Sequence, residues 1–199
     1  MKVTAIKQQV KRAGRYSVFV NDKYEFSLSD TALLESKLFN GQELTKEQIG
    51  EFKQLSNDDK LYNQVLNYLS LRPRTRWEME TYLKRKQASP ALASTILNKL
   101  SINGSLDDEK FARAWISDRQ LLRPTSRRKL ILELRQKHVN NEIIQKVMAA
   151  VEPSDEQTSL AAIVANKRRQ SKYQDDLKLM QYLARQGFNY GDIKNALQE

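Results

Sequence analysis

Residues 75–97 read TRWEMETYLKRKQASPALASTIL, residues 126–148 read SRRKLILELRQKHVNNEIIQKVM, and residues 175–197 read DDLKLMQYLARQGFNYGDIKNAL. Aligned on Leu83, Leu134 and Leu183, the three stretches share one pattern without a gap. Eight positions before each leucine stands a good helix N-cap: Thr75, Ser126 and Asp175. Six positions after it stands another: Ser89, Asn140 and Asn189. Side-chain oxygens at such positions accept from the free amides of a helix's first turn. Glu78 completes a capping box with Thr75, and Pro90 sits at the first helical position, where a missing N–H costs nothing. Ala88, Val139 and Phe188 precede the second caps, and Ala93, Ile144 and Ile193 follow five residues on, the spacing of a hydrophobic staple. Apolar rows continue at Ile96/Leu97, Val147/Met148 and Ala196/Leu197.

A further amphipathic helix precedes each pair, carrying Leu61-Val65-Leu66-Leu69, then Phe111-Trp115-Ile116, then Leu160-Ile163-Val164. The spacing therefore predicts three tandem three-helix repeats, over residues 57–104, 105–152 and 153–199, stacked as an elongated curved array. Residues 1–56 read differently. Val3 to Gln9, Tyr16 to Val20 and Tyr24 to Leu28 are β-rich, with Asn21-Asp22 as turn residues, and predict a small antiparallel meander. Tyr24, Phe26 and Leu28 alternate with polar residues, as a half-buried strand requires. Ser29 or Asp30 caps a helix over 31–38 that Asn40-Gly41 ends, and Thr45 with Gln48 opens another over 45–55. The fold class expected is mainly α, with this meander and its helices in front.

The chain has 199 residues, no cysteine and one histidine. This excludes a disulfide framework, a thiolate metal site and a histidine cage. No apolar run reaches the length of a membrane span or a signal peptide, so a cytosolic monomer is expected. Asp107-Asp108 reads as a helix N-cap rather than a metal pair, and His138 as a helix C-cap or a cation paired with the helix dipole. Trp77 and Trp115 read as packing residues rather than base-stacking ones. With no phosphate loop or nucleophile elbow, no enzyme, metal or cofactor is expected.

The net charge is +10, of which residues 1–57 carry only +2. The candidate binding residues cluster around equivalent helices of the repeats. They are Arg72, Arg74, Arg76, Lys84, Arg85 and Lys86, then Arg119, Arg123, Arg127, Arg128, Lys129, Arg135 and Lys137, then Lys167, Arg168, Arg169 and Lys172. Stacked repeats would align them as one stripe for a polyanion. Arg127-Arg128-Lys129 stands out, because the helix dipole disfavours cations in a first turn. Neutralising these three is expected to weaken binding and spare stability.

Tyr68-Leu69-Ser70-Leu71-Arg72-Pro73-Arg74-Thr75-Arg76-Trp77-Glu78-Met79, Tyr82-Leu83-Lys84-Arg85-Lys86, Leu106-Asp107-Asp108-Glu109-Lys110-Phe111-Ala112 and Glu133-Leu134-Arg135-Gln136-Lys137-His138-Val139 resemble segments of the bacterial RecX regulatory proteins. The resemblance covers about residues 58–199, and the meander is similar to extensions on some members. Gln87 and His138 stand where members commonly have glycine, and Ser126-Arg127 where a glycine is also usual. The resemblance implies a non-enzymatic regulator in DNA repair, homologous recombination and the SOS response. It would bind the RecA recombinase and its filament on single-stranded DNA, and most often inhibit ATP hydrolysis and strand exchange. Binding to single-stranded or duplex DNA alone would be weak. Two other readings stand beside it: a stand-alone DNA-binding helical protein using a basic face, and a scaffold whose strand edge pairs with a partner strand.

Overall fold

A computed structural model describes Met1 to Gln198. The chain forms two compact units, Met1–Arg72 and Pro73 onward. Among the described residues no helix is long and apolar enough to cross a membrane.

In the first unit, β1 (Val3–Gln8), β2 (Arg15–Val20) and β3 (Lys23–Ser29) form an antiparallel sheet in chain order. Asn21 and Asp22 make the two-residue β2–β3 turn, both with positive φ (47° and 60°). This is the left-handed backbone that Asn and Asp tolerate. The expected alternation fails at Tyr24. Val18 pairs with Phe26 while Phe19 pairs with Tyr24, so Glu25 is a bulge residue and parity reverses. Tyr24 is left exposed, its ring edge-on to Phe19, while Phe26 and Leu28 enter the core. The outer edge of β1 meets the segment 41–44, through Gly41 N–H to Val3 O at 2.8 Å and Leu44 N–H to Met1 O at 2.7 Å. A partner strand therefore finds that edge already occupied at its start.

Helix α1 (Asp30–Ser36) is capped by Ser29 but stops earlier than expected, at Lys37 in the left-handed conformation rather than at Gly41. Helix α2 (Lys46–Ser70) opens with the predicted Thr45–Gln48 capping box. It then runs unbroken through residues 55–57, where one helix was expected to end and another to begin. The reason is polar. Ser56 and Asp59 are buried, and they bond to the sheet instead of capping a new helix. Ser56 Oγ donates to the Ser27 carbonyl at 2.7 Å. Asp59 accepts from Arg15 Nη1 (3.0 Å), the Ser29 amide (3.0 Å), the Ser29 hydroxyl (2.6 Å) and Asn63 Nδ2 (3.1 Å). Arg15 also donates to the Ser27 hydroxyl and carbonyl, both at 2.9 Å. Phe52 stacks on Phe26 one helical step further up, sealing the core of Val3, Val18, Val20, Leu28, Leu44 and Ile49.

The second unit contains α3 (Arg76–Arg85), α4 (Pro90–Ile102), α5 (Asp108–Leu122), α6 (Arg127–Gln136), α7 (Asn141–Ala149), α8 (Pro153–Arg168), a 3-10 turn (Ser171–Tyr173), α9 (Asp176–Arg185) and α10 (Tyr190–Gln198). The repeats in the second unit are α3–α4, which follow the C-terminal half of α2 in the chain, then α5–α7, then α8–α10. All six predicted caps accept from their helix's second- or third-position amide: Thr75, Ser89, Ser126, Asn140, Asp175 and Asn189. The anchor leucines Leu83, Leu134 and Leu183 are fully buried. After each second helix the chain turns through a left-handed residue: Gln87 (59°), His138 (56°) and Gly187 (94°). The next amide returns to the anchor leucine's carbonyl, as Ala88 to Leu83 (3.1 Å), Val139 to Leu134 (3.1 Å) and Phe188 to Leu183 (3.4 Å).

Because Arg15 and Asp59 are both buried, removing one leaves the other charge uncompensated. Asp59→Ala is expected to lower unfolding free energy by about 3–5 kcal/mol. Arg15→Met with Asp59→Leu should recover most of that loss, as read by urea denaturation. A double variant as unstable as the single one would contradict this account.

Candidate functional site

The repeats of the second unit meet through one joint used twice. The first residue of a second helix meets the start of the following repeat's first helix, and the next two face the end of that repeat's second helix. At the first position, the backbone amide of Arg76 donates to Asp108 Oδ1 (2.7 Å), and that of Arg127 to Glu156 Oε1 (2.9 Å). At the second, the Trp77 ring stacks on His138, with centroids 3.9 Å apart, and Arg128 lies against Gly187. At the third, Glu78 pairs with Lys137 Nζ (3.2 Å), and Lys129 Nζ donates to Gln186 Oε1 (2.7 Å). Ser126 Oγ adds a bond to the Gln186 carbonyl (2.7 Å). A Cβ on Gly187 would come within 2.9 Å of Ser126 Oγ and 3.3 Å of Arg128 Cβ, so this approach needs glycine. Burial pushes the Asp108 carboxyl above the usual aspartate range, and the Arg76 amide opposes it. Lys146 and Arg113 hydrogen bonds hold the neighbouring Glu109 carboxyl below the usual range.

This joint resolves the first-turn cations of α6. Glu156 brings negative charge to the helix N-terminus. The half-buried Arg127 sends its guanidinium away, to the carbonyls of Met148 (2.6 Å) and Val151 (3.1 Å) at the end of α7. There it adds charge-assisted bonds at a negative dipole end, the Met148 carbonyl also accepting from the Val151 amide at 3.3 Å. The Arg127 guanidinium is engaged within the protein, so neutralising it is now expected to cost stability. Arg74 is buried and bonded within the protein, and Arg168 is engaged with the carbonyls of Tyr173 and Gln174 and with Asp176. His138 caps α6 through its backbone amide, to Arg135 O at 2.9 Å, while its ring stacks instead of pairing with the dipole. Asp107 is the predicted N-cap of α5. Trp115 packs on Phe111 as expected, whereas Trp77 remains 42% exposed.

The other cations divide between two flanks rather than forming one stripe. The helical period places Lys129 and Glu133 on one flank of α6, and Arg128, Leu132 and Arg135 on the opposite one. On the Glu133 flank, cations lie over aromatic rings in every repeat. Arg85 and Lys86 sit 5.4 and 5.6 Å from the Tyr82 centroid. Arg119 and Lys137 sit 4.5 and 5.4 Å from Trp115. Lys167 is 4.9 Å from Tyr182, and Lys172 is 5.6 Å from Tyr173. Between the second and third repeats this flank opens into a cleft of about 430 Å³, lined by Arg119, Arg123, Lys129 and Lys167 with Glu133 as its carboxylate. Glu133 also accepts from Trp115 Nε1 (2.9 Å) and Arg119 Nε (2.7 Å), orienting both. Such an arrangement binds anions by charge and presents ring surfaces beside them. Exposed Lys84 and Arg169 lie outside these clefts, and Arg72 belongs to the first unit. The sequence reading missed the tyrosines, although Tyr82 and Tyr182 each stand immediately before an anchor leucine.

The chain matches three family models: the regulatory protein RecX N-terminal domain over residues 1–45, the RecX first three-helix domain over 62–100, and the RecX second three-helix domain over 107–148. The regulatory protein RecX of Lactobacillus johnsonii is 34% identical over 153 residues, covering 77% of this chain and 56% of the relative. That of Bacillus subtilis is 28% identical over 201 residues, covering 99% of this chain and 76% of the relative. The chain thus spans little more than half the length of the first of these relatives. A crystal structure of regulatory protein RecX superimposes with a TM-score of 0.78 at 24% identity, over 100% of this chain and 99% of that one. RecX from Lactobacillus salivarius gives 0.62 at 23%, over 71% and 94%. At these identities the two structures establish the fold.

Arg127→Ala is expected to cost about 2 kcal/mol of stability, because it removes two charge-assisted hydrogen bonds to carbonyls at the end of α7. Arg128→Ala, whose head group is exposed, should change stability by less than about 0.5 kcal/mol. Urea unfolding followed by tryptophan fluorescence separates the two, and equal effects would contradict the assignment.

Proposed function

The chain belongs to the RecX family, and from that premise we propose that it is a non-enzymatic regulator of the RecA recombinase. It binds RecA and its filament on single-stranded DNA, and restrains ATP hydrolysis and strand exchange. The observation that carries this reading is the cationic cleft between the second and third repeats. Arg123, Lys129 and Lys167 line it together with Arg119, and Glu133 is its carboxylate. A nucleoprotein filament offers repeating phosphates and acidic protein surface, and fixed cations on successive repeats meet a repeating polyanion with avidity. The aromatic rings beneath the cations hold the long side chains in place, which lowers the entropy lost on binding. The cleft alone also supports direct DNA binding, so salt dependence distinguishes the stand-alone reading from the filament reading.

Substoichiometric protein is expected to slow single-strand-dependent ATP hydrolysis by RecA, at low and at near-physiological salt. An unchanged hydrolysis rate with excess protein would end the proposal. Tight binding to oligonucleotide without RecA at physiological salt would favour the stand-alone reading.

Alanine at Arg123, Lys129 and Lys167 together should weaken binding to single-stranded oligonucleotide. The slope of log affinity against log salt should then fall by about 0.7 per cation removed. A slope that stays the same would place the phosphate contacts elsewhere.

A further inference from the structure

The opposite flank of the second joint carries a groove of different chemistry. Its volume is about 780 Å³, and Ile131, Leu132 and Phe188 form an apolar floor between Arg128 and Arg135. Leu132 is 54% exposed although it sits mid-helix, one turn beyond Arg128. Among the described residues Arg128 makes no side-chain hydrogen bond or ion pair, and its stem is held against Gly187. Among the described residues Arg135 donates only to the neutral Asn141 amide oxygen, at 3.2 Å. The one carboxylate in the groove, Glu156, accepts from the Arg127 amide.

The same cleft at the first joint provides an internal comparison. It has Glu80 where the second has Ile131, and Asp108 as well, so Arg76 and Arg135 face two carboxylates. Arg76 is already bridged to Glu80 at 3.2 Å. That cleft sets two carboxylates against its two guanidinium groups, and its apolar lining is Trp77 and Val139, with no counterpart of the exposed Leu132 among the described residues. In the second groove Arg128, which has no acidic partner among the described residues, and Arg135, which lines both clefts, stand on either side of the exposed Leu132.

We propose that this groove docks an acidic amphipathic segment of a protein partner, with its apolar side chains on Leu132 and the half-buried Ile131 and its carboxylates on Arg128 and Arg135. A phosphodiester backbone would satisfy the guanidinium groups but leave the exposed Leu132 without an apolar partner. An amphipathic helix or extended segment satisfies both halves of the groove at once. The protein then presents one flank to phosphates and the other to protein. The groove's occupant is independent of whether the cleft on the other flank binds DNA.

The test is fluorescence anisotropy with a labelled glutamate–leucine peptide, roughly 14 residues long with leucines at helical spacing. Alongside it runs a labelled oligothymidylate of equal charge. The full chain is expected to bind the peptide. Arg128→Glu with Arg135→Glu, and separately Leu132→Glu, should each weaken it by about tenfold or more. Trp77→Ala at the first joint should leave it unchanged, and oligothymidylate binding should survive Leu132→Glu. Thermal unfolding of each variant confirms that it is folded. No peptide binding, binding indifferent to the groove variants, displacement of the peptide from the groove by oligothymidylate, or self-association that Leu132→Glu abolishes would each overturn the proposal. Loss of oligonucleotide binding by the Arg123, Lys129 and Lys167 variant alone bears on the other flank and leaves the groove intact.

Discussion

The free amides at the start of a helix must find acceptors, and in the second unit much of that requirement is met by the next repeat. Ser126 meets one amide of α6 from within its own chain segment, at 3.2 Å. Glu156 of the following repeat meets another. Asp108 does the same for α3. Helix capping is thereby converted into repeat stacking. The anchor leucines Leu83 and Leu134 lie buried beside helix starts whose amides are satisfied in part across the joint, while Leu183 is equally buried in a helix whose cap is its own Asp175.

The first unit depends on an analogous arrangement, with a buried charge pair in place of a helix start. Asp59 lies mid-helix, bonded to Arg15 on β2 and Ser29 on β3. Ser29 also caps α1, at 3.3 Å from Ala32 N. One carboxylate thus ties sheet, α1 and α2 together. Two buried charges gain little net stability over an apolar pair. Their bonds do specify register, because only one rotation of α2 brings Ser56, Asp59 and Phe52 to their partners. That explains why α2 passes through Asn57-Asp58 without stopping.

Seen by partner, the arginines and lysines of the repeats have three distinct occupations. Arg127 closes the end of α7, Arg119 and Lys167 lie over aromatic rings, and Arg128 stands on the rim of an apolar groove. Equal charge in the sequence therefore has unequal consequence. A guanidinium on backbone carbonyls contributes stability, and one over solvent contributes electrostatic field.

The sequence by itself determined the three-helix period, the six caps, the buried leucines and the meander with its Asn21-Asp22 turn. Each of these follows from interactions within a few residues, where spacing and side-chain type decide the outcome. It also located the cationic segments. It could not show Arg127 turning inward, Glu25 bulging out of register, or α2 running through the expected break, since each depends on a partner distant in the chain. The division of cations into an aromatic flank and an apolar groove was likewise decided only in the tertiary structure. Two residues one position apart on α6, Arg128 and Lys129, differ by about 100° around the helix axis. What each then faces is set by Gly187 and Gln186, nearly sixty residues away.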